Sequence, residues 1–154
     1  MRNERIMNVS RVIYFLLVIM MSTPSCAHAQ VLHQVCFKDY CFKVELADRA
    51  EDRQRGLQFR SSLGNDQGML FVFPVAAKHA FWMKDTLIPL DIIWMDLDKR
   101  VVFIEANAKP CKTAPCASFV PSEDALYVLE INANASNTMG LKIGDVLEFH
   151  LLGL

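Results

Sequence analysis

Hydrophobic and polar residues alternate along much of the chain with the two-residue period of half-buried strands. In Phe42-Lys43-Val44-Glu45-Leu46 the apolar side chains fall on one side and the charged ones on the other. The pattern predicts strands over Val31 to Phe37, Cys41 to Ala47, Leu70 to Phe73 and Phe81 to Met83. It continues with Leu90 to Asp96, Val101 to Ala106, Tyr127 to Ile131 and Val146 to Leu152. Asp48 opens a short helix, with Glu51 three positions on completing a capping box and Gly56 near the end. Asp98-Lys99-Arg100 turns two strands into a hairpin, and residues 107 to 118 form a loop. In the turn from Gly140 to Asp145, Gly144 permits a positive φ and Asp145 can bond its own loop. Many short strands with one or two short helices predict a mostly β fold, a β-rich α+β single domain, antiparallel and barrel-like or sandwich-like.

The N-terminus departs from this pattern. Arg2, Arg5 and Arg11 precede the apolar run Val12 to Met21, and small residues follow up to Ala27-His28-Ala29. Residues 1 to 29 therefore read as a secretory signal cut before Gln30, with residues 30 to 154 as one globular domain. The run is about half the ~20 residues that span a bilayer, so no transmembrane anchor is expected after cleavage. Cys26 offers a lipoprotein alternative, but Thr23-Pro24-Ser25 lacks the aliphatic residue such signals carry three positions before the cysteine. The expected location is periplasmic or secreted. The mature chain keeps 13 basic and 16 acidic residues, a net charge of −3, with no cluster of Lys and Arg. That balance argues against a nucleic-acid partner.

Four cysteines remain in two equally spaced pairs, Cys36 with Cys41 and Cys111 with Cys116, which allow three connectivities. In an exported chain two disulfides are favoured over a four-thiolate zinc site. With Lys38-Asp39 as a two-residue turn, Cys36 faces Cys41 at a non-hydrogen-bonded position, where side chains approach closest. Each short loop so closed contributes about 2 kcal/mol.

No nucleophile elbow, phosphate loop, dinucleotide fingerprint or zinc-protease helix is present, and no motif calls for a cofactor or a resident metal. Two segments carry candidate chemistry. An extended Phe81-Trp82-Met83-Lys84 puts Trp82 and Lys84 on one face, either as a ligand platform or as a cation–π pair. Asp91 sits in the apolar run Pro89 to Trp94, where a buried carboxylate requires a partner; Arg55, Arg60 and Lys84 are the candidates for an ion pair.

Arg55-Gly56-Leu57-Gln58-Phe59-Arg60, Gly68-Met69-Leu70-Phe71, Phe81-Trp82-Met83-Lys84, Thr86 and Pro89-Leu90-Asp91-Ile92 occur in that order. Pro110-Cys111 with Pro115-Cys116, Leu129-Glu130 and Gly144-Asp145 follow. Together they resemble the domain of unknown function 192 family, small prokaryotic proteins often carrying a secretion signal, over about residues 44 to 149. The resemblance implies a compact, mostly β domain of undetermined activity and supplies no catalytic residues. The sequence departs from the family pattern at Asn132-Ala133-Asn134, where a glycine is expected, and in having the Cys36/Cys41 pair.

Three functions from different classes follow. The favoured one is an envelope binding or interaction module for an unknown envelope ligand or protein, with Arg60, Trp82, Lys84, Asp91 and Glu130 as a shared polar site. The second is a hydrolase or transferase acting on envelope polymer, with Asp91 and Glu130 as paired carboxylates at a separation of about 5 to 9.5 Å. The third is copper(I) handling by His79, Trp82 and Met83, with Met69 or Met95. Against it stands the ordinary use of methionine to fill gaps in a core.

Overall fold

A computed structural model of the chain describes residues 33 to 152. The predicted signal segment, its cut before Gln30 and Cys26 lie outside the described residues. Among the described residues nine strands are formed: β1 (His33–Phe37), β2 (Tyr40–Ala47), β3 (Gln67–Ala77), β4 (Phe81–Trp82), β5 (Leu90–Met95), β6 (Val101–Ala108), β7 (Ser118–Phe119), β8 (Ala125–Asn132) and β9 (Glu148–His150). Two short helices join them, α1 (Ala50–Arg55) and α2 (Ala135–Thr138). Seven strands make one sheet in the order β6-β5-β8-β3-β2-β1-β9, and β4 pairs separately with β7.

The mostly β expectation holds, with two refinements. β2 runs parallel to β3, so the large sheet is mixed. It curls without closing. The segment before β9 meets the start of β6 through one bridge, Arg100 with Val146, flanked by bonds from Val101 N to Asp145 O and from Leu147 N to Lys99 O. The curled face encloses Val35, Phe42, Leu70, Ile93, Leu129 and Ile131. The other face carries Met69, Phe71, Ile92, Trp94 and Val128, covered by Leu57, Met83 and Phe81. All six residues of β5 are buried, because both faces of that strand are packed.

Both cysteine pairs close locally, Cys36 with Cys41 and Cys111 with Cys116. The first is the expected cross-strand bond. Cys36 registers with Cys41 at a Cα separation of 4.1 Å, and Lys38 takes the positive φ that the tight turn requires. Gly144 likewise has φ +95°, and Asp145 accepts from Lys142 N at 2.9 Å.

The capping box does not form. Arg49 occupies the cap position of α1 with no side-chain cap bond, and its guanidinium takes Glu51 instead. β3 runs past Phe73 to Ala77, accommodating the exposed Pro74 through a register shift against β8. The predicted 107 to 118 loop is shorter, since β6 continues to Ala108 and β7 begins at Ser118.

Candidate functional site

The register of the central strands decides where each polar residue points. Asp91 pairs with Ile131 across β5 and β8, and Ile92 with Glu130. Paired residues share a face, and neighbours along a strand alternate. Asp91 and Glu130 therefore project from opposite faces of the sheet. The paired-carboxylate arrangement needed for glycosidase chemistry is not formed.

Asp91 is fully buried and saturated by donors. One carboxylate oxygen accepts from Asn107 N at 2.8 Å and Asn134 N at 2.9 Å; the other accepts from Ser136 N at 2.8 Å and from the Ser136 hydroxyl. The expected ion pair with Arg55, Arg60 or Lys84 is replaced by three backbone N–H groups and one hydroxyl. Arg60 instead forks onto Glu45, and Arg55 pairs with Asp52 at 2.7 Å. Hydrogen bonding to Glu45 holds the Arg60 guanidinium more firmly charged. The unusual Asn132-Ala133-Asn134 segment belongs to the Asp91 network. Asn134 has φ +68°, the left-handed conformation that a glycine adopts freely and asparagine tolerates. Asn132 donates to the carbonyls of Leu63 and Gly64, both at 3.0 Å.

Glu130 has the opposite surroundings. Its neighbours across the ladders are Met69 and Ile92, and it is 5% exposed. Its Oε2 is buried without a hydrogen-bond partner, a condition shared among the described residues with one other side-chain atom, His33 Nδ1. Desolvation raises its pKa to about 8, so the carboxyl is protonated at neutral pH.

A pocket of about 250 Å³ opens beside Glu130. Glu130 from β8 and Phe71 and Phe73 from β3 contribute from the sheet. The C-terminal half of α1 and the turn after it supply Arg53, Arg55, Gly56 and Gln58. β4 and the residues after it supply Phe81, Trp82, Lys84 and the buried Thr86. Gly56 has φ +50°; a Cβ there would lie 3.3 Å from Phe71 Cζ and 4.0 Å from Glu130 Oε2. Its lack of a side chain keeps that wall open.

The β4 wall is anchored at both ends. Trp94 Nε1 donates to His79 O at 2.8 Å, and Phe81 packs edge-on against both Phe71 and Trp94. Beyond Lys84, Cys111 N donates to Met83 O at 3.0 Å and Asp85 N to Cys111 O at 3.1 Å. As the alternation predicted, Met83 is 1% exposed while Trp82 is 54% exposed and Lys84 faces solvent. Lys84 makes no ion pair among the described residues, unlike Arg55. Arg53 is held by the carbonyls of Asp48 and Val72 and lies over the Phe73 ring.

Of the five polar residues singled out in sequence, Trp82, Lys84 and Glu130 meet at this pocket, and Arg60 and Asp91 do not. The sequence reading passed over Arg53, Gln58, Phe71 and Thr86. All but Arg53 belong to the motifs that carry the family resemblance, and that common membership was the available signal. The copper-binding set is dispersed. Met69 and Met83 are core residues on one face, Met95 is on the other, and the His79 ring stacks on Phe73 with Nε2 against Val75 O. Among the described residues no group of three or more His, Cys, Asp or Glu is placed to hold a metal ion.

Comparison with known proteins agrees with the motifs. The model of the DUF192 family, described as an uncharacterised ACR, matches residues 33 to 149. A UPF0127 protein of Thermococcus gammatolerans is 31% identical over 111 residues, which are 69% of this chain and 65% of that relative, so the match spans just under two thirds of the relative's length. A crystal structure of a protein of unknown function from Novosphingobium aromaticivorans is 37% identical with a TM-score of 0.69, covering 76% of this chain and 83% of that one. A Sinorhizobium meliloti protein, provisionally described as a transcription regulator, is 32% identical at the same TM-score of 0.69, over 76% of this chain and 91% of its own. The chain belongs to the DUF192 (UPF0127) family, whose function is uncharacterised.

Proposed function

We propose that the protein is an exported binding module of the cell envelope, periplasmic or secreted, that takes a small ligand into the Glu130 pocket without transforming it. The observation that carries this reading is Glu130 Oε2, buried and without a partner among the described residues beside an open cavity. A fold gains nothing from a polar group left unsatisfied, whereas a binding site uses one to orient what enters. The cavity size suits a small molecule rather than a polymer segment. Export is supported by the N-terminal pattern of Arg residues, apolar run and small residues, and by two locally closed disulfides of the kind that persist in oxidising compartments.

Nuclear magnetic resonance of the mature chain titrated with fragment-sized molecules tests the site. Shifts concentrated at Arg53 to Gln58 and Ala80 to Thr86 are expected. Binding confined to the separate groove lined by Tyr40, Asn65 and Thr138, or no binding at all, would overturn the assignment.

A further inference from the structure

We infer that the pocket's ligand is a small organic carboxylate with a flat apolar body, its charge met by Lys84 and one of its oxygens accepting a hydrogen bond from the Glu130 carboxyl. This inference rests on the binding reading above and adds the ligand's chemical class.

Charge gives the first argument. The cations lining the pocket are Arg53, Arg55 and Lys84, and the sole acid lining it is Glu130. Asp52 offsets Arg55, and Arg53 is engaged by backbone carbonyls, which leaves Lys84 as the ammonium available to an incoming anion. Burial gives the second. Glu130 lies between Met69 and Ile92, where desolvation favours the neutral form, and in that form it is a donor. A protonated carboxyl meeting a carboxylate oxygen forms a charge-assisted hydrogen bond, stronger than one to a neutral acceptor. A cationic ligand would instead meet three positive side chains at the opening. Shape gives the third: Phe81 is half-buried and held edge to face against the core ring of Phe71 with centroids 4.9 Å apart, and Trp82 is 54% exposed, so these two leave ring surface for a planar body.

The groups facing Glu130 set the pH dependence. From α1 come Arg53 and Arg55, from the segment after β4 comes Lys84, and β3 and β5 present only non-titrating side chains, Met69, Phe71, Phe73 and Ile92; the His79 ring is stacked on Phe73. Between pH 7 and 9 the proton on Glu130 is therefore the one whose loss most opposes an anion.

Benzoate, benzamide and benzamidine are three probes of one shape, bearing negative, zero and positive charge. Calorimetric titration of the mature protein, with nuclear magnetic resonance to locate each probe, is expected to rank benzoate at least tenfold above benzamidine at pH 7. Benzoate affinity should fall about tenfold between pH 7 and 9, as expected for a donor that titrates near 8. Glu130→Gln should abolish that pH dependence. Lys84→Met should weaken benzoate at least fivefold more than benzamide, and Lys84→Arg should restore most of the loss. Benzamidine binding in the pocket as tightly as benzoate would overturn the carboxylate assignment and leave the binding reading standing. If none of the three probes shifted the pocket residues, both would fall. The probe ranking needs only the wild-type chain, so it does not depend on how the variants fold.

Discussion

Two buried carboxyls on adjacent strands have opposite surroundings. Asp91 accepts four hydrogen bonds and ties β5 to Asn107 near the end of β6 and to the start of α2. Glu130 Oε2 has no hydrogen-bond partner among the described residues. Asp91→Ala would strand three backbone donors and the Ser136 hydroxyl in the interior, and should cost roughly 3 kcal/mol or more of unfolding free energy in urea. Probe binding in the Glu130 pocket, on the opposite face, should be unaffected wherever the variant remains folded. In sequence Asp91 is conspicuous as the one acid in an apolar run, but its donors Asn134 and Ser136 lie 43 and 45 residues away. Their contact depends on the register of β5 against β8. That register is a long-range property, which is why arginine and lysine were natural but mistaken candidates. It also sends Glu130 to the other face, which pairing by residue type does not reveal.

The elements that build the pocket are short, and short elements were the hardest to read. α1 has six residues and β4 only two, too few for periodicity to fix their ends, whereas the alternation in β2 and the hairpin around Lys38-Asp39 were plain. The glycine at 56 was legible as the end of a helix, but its second role beside Phe71 and Glu130 was not. Gly56→Ala should cost about 1 to 3 kcal/mol from the positive φ alone. It should also weaken any ligand of the pocket, whose wall the new methyl enters; urea titration and a binding isotherm measure the two effects separately. The disulfides separate in the same way. Cys111 bonds the backbone of Met83 and Asp85, so the Cys111→Ser/Cys116→Ser variant should lose both about 2 kcal/mol and affinity in the pocket. Cys36→Ser/Cys41→Ser, at the β1/β2 turn away from the pocket, should lose a similar stability and keep binding. Equal loss of affinity in both variants would show that the second disulfide does not hold the β4 wall.

At the scale of the molecule, one curled sheet carries buried core on both faces, and the Glu130 pocket opens on only one of them. One side packs Val35, Leu70, Ile93 and Leu129, and the other packs Met69, Phe71, Ile92 and Trp94, with the pocket lined from α1, β3, β4 and β8. The fold class was legible because strand alternation is a local signal; the mixed and incompletely closed sheet was not, because strand order is set by contacts far apart in sequence. Export belongs to this scale too. Protein recovered from the periplasm of a Gram-negative host should begin at Gln30 and carry no free thiol, by intact mass with and without reduction and alkylation. Retention of Met1, or a lipid on Cys26, would contradict the proposed processing. The central claim is that Glu130 serves a ligand at the expense of the fold, and its pH signature tests this. Burial lifts the carboxyl from its ordinary 4.5 to about 8. The folded state therefore binds the extra proton between those values, so this group's contribution is complete below about pH 4.5 and is lost as pH rises to about 8. The most direct measurement is the urea unfolding free energy of the wild type and of Glu130→Met from pH 5 to 9. The account predicts that the variant gains on the wild type steadily as pH rises and is the more stable protein by pH 8; a variant less stable than the wild type across the whole range would show that the fold itself depends on Glu130, and would contradict it.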